Sequence, residues 1–140
     1  MGVRETNILK LCQLEAAKLG CLLMRNNVGM ALTKDGRHIK YGLGVGSPDL
    51  VGWTNMGRFV GAEIKEGRGV LSKEQLNFLR RINECGGLGI VAYDQEDVKK
   101  CLITGESNVS LFDKGDGKCL NTTTRFSRLR MIGWRLYSVF

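Results

Sequence analysis

Two short apolar runs separated by a three-residue loop constrain the fold more than any other part of this 140-residue chain. Residues 50–54 and 58–64 are rich in Val, Phe, Trp, Ile and Leu, which is typical of β-strands. The loop is Asn55-Met56-Gly57, and its glycine can adopt the left-handed conformation that short hairpin loops need. The pattern predicts a β-hairpin in which residues equally distant from Met56 pair with each other.

This register brings two acidic residues face to face. Asp49, which follows Gly46-Ser47-Pro48, pairs with Glu63, and facing like charges are destabilising unless a cation lies between them. Hard divalent cations prefer carboxylate oxygen. Lys65 shares the face of Glu63, where it can bind a phosphate oxygen or hold a water, while Ile64 points away into packing. The alternative is a surface hairpin with an acid pair and a Glu63–Lys65 ion pair.

Composition indicates one compact soluble domain with a polyanionic partner. The chain is 43% hydrophobic and 25% charged, with a net charge of +7 and a pI near 9.4, which favours nucleic acid. No apolar run approaches the roughly 18 residues of a membrane span, and the N-terminus lacks a signal-peptide layout. Five cysteines without a Cys-x-x-Cys pair argue against a zinc site or disulfides, so we expect reduced thiols in the cytoplasm.

Two other features do not suggest a different chemistry. His38 is the only histidine, and no nucleophile motif accompanies it, so it is interpreted as a solvated strand residue. The glycine cluster at residues 42–46 has the wrong spacing for a dinucleotide fingerprint, and a strand follows it instead of a helix. We interpret it as a flexible loop that lets the backbone approach a substrate, and we expect no small-molecule cofactor.

The remaining patterns predict a mixed sheet flanked by helices, in the α/β or α+β class, with a parallel right-handed crossover before the last strand. Ser72 and Gln75 form a capping box at the start of the central helix. The predicted elements are a helix at 5–19 ended by Gly20, a strand at 21–26, a hairpin of 30–33 with 37–41, a helix from Ser72 to about Cys85, a strand at 88–93 and a helix at 95–102.

The acids of the first helix and the segment from residue 104 each allow more than one interpretation. The first helix has a wide predicted apolar stripe, formed by Ile8, Leu9, Leu11, Cys12, Ala16 and Leu19. Glu5 and Glu15 both fall on or beside this stripe, where an acid needs a partner or a metal; alternatively, either one borders the stripe and pairs with a lysine such as Lys18. From residue 104 the periodicity weakens, and arginines alternate with apolar residues near the C-terminus. That segment either packs on the core, grips DNA phosphates and stacks on bases, or is disordered.

The Gly46-Ser47-Pro48-Asp49 and Glu63-Ile64-Lys65 motifs resemble the PD-(D/E)xK nuclease superfamily. The surrounding pattern is similar to its virus-type replication-repair branch, VRR-NUC, over roughly residues 4–98. The supporting positions are the helix from Glu5, Gly20, the 25–29 stretch, Gly67, Leu71-Ser72 and Gln75. The resemblance implies a restriction-endonuclease-like α-β-β-β-α-β core in a nuclease domain at 4–103, followed by a basic extension at 104–140.

The resemblance also implies roles for individual residues. Asp49 and Glu63 would bind Mg²⁺ or Mn²⁺ together with the Ile64 carbonyl, and Lys65 would orient the attacking water. Gln75 would support Lys65. By its spacing to Gly20, Glu5 matches the helix acid that completes the water shell of the metal better than Glu15 does. The residues expected to contact nucleic acid are Arg25, Asn27, Ser47, Arg68, Arg125, Arg128 and Arg130.

The implied activity is that of a metal-dependent DNA endonuclease that leaves a 5′-phosphate and a 3′-hydroxyl. We expect it to select branched or flapped DNA in phage or mobile-element replication, recombination or repair, in the host cytoplasm if phage-encoded, and a homodimer would suit a two-stranded substrate. The alternatives are a noncatalytic DNA-binding module that keeps the nuclease fold, and a structural or interaction protein. One departure from the family is the insertion at residues 33–41, which changes the loops expected to face the substrate.

Overall fold

The computed structural model describes residues 3–113, which form a four-stranded mixed sheet between helices and a separate two-stranded hairpin. The order of elements and the mixed α+β class agree with the prediction. No helix in this range is long and apolar enough to cross a membrane. The elements are α1 (Val3–Lys18), β1 (Leu22–Arg25), β2 (Gly29–Leu32), β3 (His38–Tyr41), β4 (Leu50–Trp53), β5 (Phe59–Ile64), α2 (Lys73–Glu84), β6 (Leu88–Ala92), α3 (Gln95–Thr104) and a 3₁₀-helix (Val109–Phe112).

The strands of the main sheet lie in the order β1-β4-β5-β6. β4 and β5 are antiparallel, with Leu50 opposite Ala62 and Trp53 opposite Phe59, so the predicted register is confirmed. Gly57 in the loop has a φ of 77°, the left-handed conformation that the short loop requires. β5 and β6 are parallel, as expected for two strands joined through a helix.

The pleat of β5 divides the core between the two faces of the sheet. Val60, Ala62 and Ile64 pack into the larger apolar cluster, which includes buried residues of α1 and α3. Residues of α2 pack on the opposite face together with the 3₁₀-helix. Ile64 therefore points into the core, and Glu63 projects on the side of α2.

The first helix buries a narrower stripe than its sequence predicts. Leu9, Cys12 and Ala16 are buried, whereas Leu11 is 43% exposed and Leu14 is 58% exposed. Since α1 packs on one face only, Leu11 and Leu14, which lie about 100° and about 160° around the helix from Cys12, remain at the surface. The prediction that Leu11 belongs to the buried stripe was wrong.

The capping box of α2 is confirmed. The Ser72 side chain accepts from the Gln75 N–H at 3.2 Å, and the Ser72 N–H donates to Gln75 Oε1 at 2.9 Å. Arg80 of α2 forms an ion pair with Asp113 at the end of the described chain.

Residues 105–113 cover the outer edge of β6. The Asn108 side chain accepts from the Val91 N–H at 2.9 Å and donates to the Val91 carbonyl at 2.7 Å. Asn83 and Ser107 bind the N–H and carbonyl of Gly89 in the same way. These side chains satisfy edge groups that another strand would otherwise pair with.

The four cysteines in the described part of the chain are free thiols, as predicted. Burial, followed by the charge of Asp94, raises the pKa of the Cys12 thiol to about 12. This thiol is therefore protonated at neutral pH and unreactive.

Candidate active site

Asp49 lies at the point where the β4–β5 ladder ends. In a continued ladder the Ile64 N–H would donate to the Pro48 carbonyl, but here it donates to the Asp49 carboxylate at 2.9 Å, and the Pro48 carbonyl accepts from the Asn26 side chain. One further step of the observed register places Asp49 opposite Glu63. The two acids that the sequence predicts to face each other therefore meet at the end of β5.

Glu63 is almost fully buried, with 2% of its surface exposed. Its Oε1 atom accepts from Lys65 Nζ at 3.0 Å and from Gln75 Nε2 at 2.5 Å. Its Oε2 atom is buried, and no residue of the described chain forms a hydrogen bond with it. Such orphaned oxygens are costly unless a cation or a substrate group completes them.

The electrostatics of the two acids follow from their burial and proximity. Burial first, and the charge of Asp49 second, raise the pKa of Glu63 to about 7, while Lys65 and the backbone N–H of Asp49 oppose the rise. Burial also raises the pKa of Asp49, and the charge of Glu5 adds to this, while the Ile64 N–H, Lys65 and Arg25 oppose it. Ionising both acids is therefore unfavourable without an added positive charge.

Gln75 connects Lys65 to Glu63. Its Oε1 atom accepts from Lys65 Nζ at 2.9 Å and from the Ser72 N–H at 2.9 Å. With two donors on the oxygen, the amide nitrogen is directed at Glu63, so the capping box that begins α2 also orients the site.

The glycine-rich loop is fixed where it passes α2. A Cβ atom on Gly46, whose φ is 80°, would lie 2.6 Å from the backbone carbonyl carbon of Glu74, next to Gln75. The prediction of a flexible loop does not hold at Gly46, because the loop packs against the first turn of α2.

Asn26 forms hydrogen bonds with each of residues 47–49, and its role was not predicted from the sequence. Its N–H donates to the Asp49 carbonyl at 2.8 Å, and its side chain donates to the Pro48 carbonyl at 2.9 Å and to Ser47 Oγ at 2.8 Å. The signal was present in the 25–29 stretch, but nothing in its composition indicates a contact with residues 47–49.

Of the two acids on α1, the structure brings only Glu5 near the pair. The charge of Glu5 acts on Asp49, whereas Glu15 forms an ion pair with Lys18 at 2.5 Å, and that hydrogen bond lowers the pKa of Glu15. The lysine-paired alternative therefore describes Glu15.

The residues expected to contact nucleic acid are scattered in position. Arg25 is the last residue of β1, and its charge lies close enough to lower the pKa of Asp49. Ser47 lies in the loop that precedes Asp49. Asn27 and Arg68 are exposed on loops, and His38 is exposed on β3, as interpreted from the sequence. Arg125, Arg128 and Arg130 lie outside the described residues.

The donor set fits a hard divalent cation. Two carboxylates with raised pKa values meet here, and one has a buried oxygen without a partner. The Lys65 N–H bonds to Ala92 of β6, so alternation turns the Ile64 N–H and carbonyl toward Asp49. Within residues 3–113 no three acidic, His or Cys side chains gather tightly enough to hold a metal ion. A cation here would be held by two carboxylates, the Ile64 carbonyl and water.

In a mixed four-stranded sheet flanked by helices, Asp49 precedes β4 and meets Glu63 and Lys65 at the end of β5, an arrangement that resembles nucleases of the PD-(D/E)xK superfamily. Residues 4–95 match the family model of the VRR-NUC domain, and the chain belongs to this family.

The structural comparison agrees with the family assignment. A solved structure described as a VRR-NUC domain superposes with a TM-score of 0.51 over 73% of this chain and 97% of its own length. The two sequences are 21% identical, so the likeness shows the fold alone. No curated protein matches the chain.

Proposed function

We propose that this chain is a divalent-metal-dependent DNA endonuclease that uses Mg²⁺ or Mn²⁺. The observation that supports this most strongly is the buried Glu63 Oε2 atom, which has no partner in the described chain although its carboxylate faces Asp49 and contacts Lys65. A module that only bound DNA would gain nothing from two facing acids beside a phosphate, because they repel it.

Asp49, Glu63 and the Ile64 carbonyl are the groups that would hold the cation. A bound divalent cation supplies charge neutralisation at the scissile phosphate and a lowered pKa for a nearby water. Glu5, which lies near enough to act on Asp49, would accept hydrogen bonds from waters around the cation.

Lys65 and Gln75 provide the rest of the chemistry. The Lys65 ammonium would hold the attacking water in line with the phosphorus and stabilise the negative charge that develops on the phosphoryl oxygens. Gln75 fixes the ammonium through its 2.9 Å hydrogen bond. The water oxygen bonds to phosphorus and the bond to the 3′-oxygen breaks, leaving a 5′-phosphate and a 3′-hydroxyl. Arg25, Asn27, Ser47 and Arg68 would contact the DNA backbone near the site.

The preferred substrate in this proposal is branched or flapped DNA, met in phage or mobile-element replication, recombination or repair. The support is membership of the VRR-NUC family and the net charge of +7. A homodimer would place two sites on a two-stranded substrate, since closed two-fold assemblies present identical sites symmetrically.

The test is cleavage of a panel of linear, flapped and four-way-branched DNA substrates by the full chain, with Mg²⁺, with Mn²⁺ and with a chelator. We expect cleavage that requires the metal and produces ends that a ligase can reseal, which requires a 5′-phosphate and a 3′-hydroxyl. The absence of metal-dependent cleavage on every substrate would leave the noncatalytic DNA-binding module as the better description.

A further inference from the structure

The β2–β3 hairpin is separate from the main sheet and has no buried residue. Among residues 3–113 its strands pair with each other and with no other strand, and every residue at positions 29–41 is exposed or partly exposed. Met30 and Leu32, which share one face of the ribbon, are 57% and 66% exposed, and Ile39 on the other face is 54% exposed. An isolated two-stranded hairpin is marginally stable at best in water, and exposed apolar side chains grouped in this way mark a contact surface.

The base of this hairpin is fastened to the candidate active site. Asn26, which precedes β2, binds the Asp49 carbonyl through its N–H and the Pro48 carbonyl through its side chain. Asn26 Oδ1 also accepts from the N–H of Leu43, two residues after β3 ends, at 3.4 Å. One side chain therefore ties both ends of the hairpin to the residues around Asp49.

The charge of the hairpin complements a polyanion. Lys34, Arg37 and Lys40 are its basic residues, and its one acid, Asp35, forms an ion pair with Arg37 at 2.6 Å. The register places Met30 opposite Lys40 and Leu32 opposite His38. One face of the ribbon therefore combines apolar side chains with a lysine, which suits a nucleic-acid groove bordered by phosphates.

We propose that residues 29–41, here named the hairpin arm, lie in a groove of duplex DNA beside the bond that is cleaved. This inference rests on the proposed nuclease function and adds an element of substrate recognition to it. A two-stranded ribbon fits the major groove. The tip is nine residues from Asn26, a reach of about 30 Å or about nine base pairs.

The charge test uses two variants with the same net charge. Lys34→Ala with Lys40→Ala removes two exposed cations from the arm, and Lys10→Ala with Lys100→Ala removes two from the helices. Binding of duplex DNA is measured in chelator at several salt concentrations, so that it does not depend on cleavage. We expect the salt slope of log K to fall by about 2 for the arm variant and by clearly less for the helix variant. Equal salt slopes and equal duplex affinities for the two variants would overturn the proposal that the hairpin arm binds DNA.

The apolar test uses Met30→Ser with Leu32→Ser, matched by Leu14→Ser with Ile103→Ser, which alters exposed residues on helices. We expect the arm variant to lose footprint protection within about nine base pairs of the cleavage position and to bind duplex about tenfold more weakly than its control. Both variants should keep the wild-type melting temperature, because none of the four residues is buried.

A different result identifies a different partner. If Met30→Ser with Leu32→Ser changes the sedimentation behaviour of the protein and leaves DNA affinity equal to that of the control, the arm contacts protein and the proposal is overturned. Failure of the nuclease proposal is separately visible: a wild-type chain that binds duplex through the arm but cuts no substrate with Mg²⁺ or Mn²⁺ would overturn the activity alone.

Discussion

Each end of the β4–β5 hairpin holds a charged side chain among polar groups. Only at the loop end does every polar atom of that side chain have a hydrogen-bond partner. At the loop end, the guanidinium of Arg58 donates to the carbonyl oxygens of Gly86, Gly87 and Gly105 at 2.9, 2.8 and 2.7 Å. These carbonyls follow the C-terminal turns of α2 and α3, so a single side chain ties both helices to the sheet.

At the opposite end, Glu63 has one oxygen bound by Lys65 and Gln75 and one buried oxygen without a partner. Asp49 adds a second negative charge, which raises the pKa of Glu63 further. Satisfied polar groups stabilise a fold, whereas unsatisfied ones persist where function requires them. The loop end therefore serves stability, whereas the end that carries Asp49 and Glu63, here named the acid end, would take an added cation and its substrate in the proposed function.

Removing a catalytic group should have the largest effect on activity. Asp49→Asn and Lys65→Ala should each reduce DNA cleavage by about 10³-fold, because each removes a group that acts on the transition state. Single-turnover cleavage assays measure this loss. The control Glu15→Gln, which alters an acid paired with Lys18, should cut at the wild-type rate. Normal cleavage by Asp49→Asn would show that the acid end has been assigned the wrong function.

Removing the satisfied cation should instead reduce stability. Arg58→Ala should lower the free energy of unfolding by about 4 kcal/mol, because three hydrogen bonds to a charged group are lost and three partly buried carbonyls lose that donor. Urea denaturation measures the change. Arg58→Lys should recover only part of it, since an ammonium lacks the guanidinium fork. A loss of unfolding free energy below about 1 kcal/mol for Arg58→Ala would show that Arg58 does not stabilise the loop end as described.

The pH dependence of stability should come from the acid end. Because the pKa of Glu63 is raised from 4.5 to about 7 in the folded state, its stabilising effect is present below pH 4.5 and is lost as the pH rises through 7. In chelator, Glu63→Gln should therefore be more stable than wild type at pH 8, by at most about 3 kcal/mol, and similar near pH 4. Chemical denaturation at the two pH values tests this. The same pH dependence of stability in wild type and Glu63→Gln would show that ionising the Glu63 carboxylate does not destabilise the fold.

A smaller effect is expected where the glycine loop meets α2. The added Cβ atom in Gly46→Ala would press on the Glu74 backbone, move Gln75 away from Lys65 and reduce cleavage by about tenfold. Gly44→Ala is the matched control, because Gly44 also has a positive φ but nothing lies within 4 Å of its Cβ position. Cleavage rates of the two variants, corrected for folded fraction, give the comparison. Equal rates would mean that backbone strain alone matters.

The sequence determines the acid end well because its geometry is local. A loop of three residues between apolar runs sets the register, and that register alone places Asp49 opposite Glu63. The Ser72 and Gln75 capping box is also legible, because its two members are three residues apart. Short separations let periodicity and turn chemistry specify these contacts.

The contacts that the sequence did not reveal join distant segments. Arg58 reaches Gly105 across 47 residues, and Asn26 reaches Pro48 across 22. Each is a side chain bound to a backbone carbonyl, and neither periodicity nor composition distinguishes such residues from ordinary surface polar groups. The width of the buried stripe on α1 was misjudged for a related reason, since it depends on which elements pack against the helix.

Calorimetric titration of Mn²⁺ at pH 8 into the wild-type chain and into Asp49→Asn and Glu63→Gln tests whether Asp49 and Glu63 together hold one divalent cation. We expect one ion bound per wild-type chain and an affinity at least about tenfold weaker in each variant, because each loses a charged oxygen ligand. Identical titration curves for all three proteins, or no binding by the wild type, would contradict it.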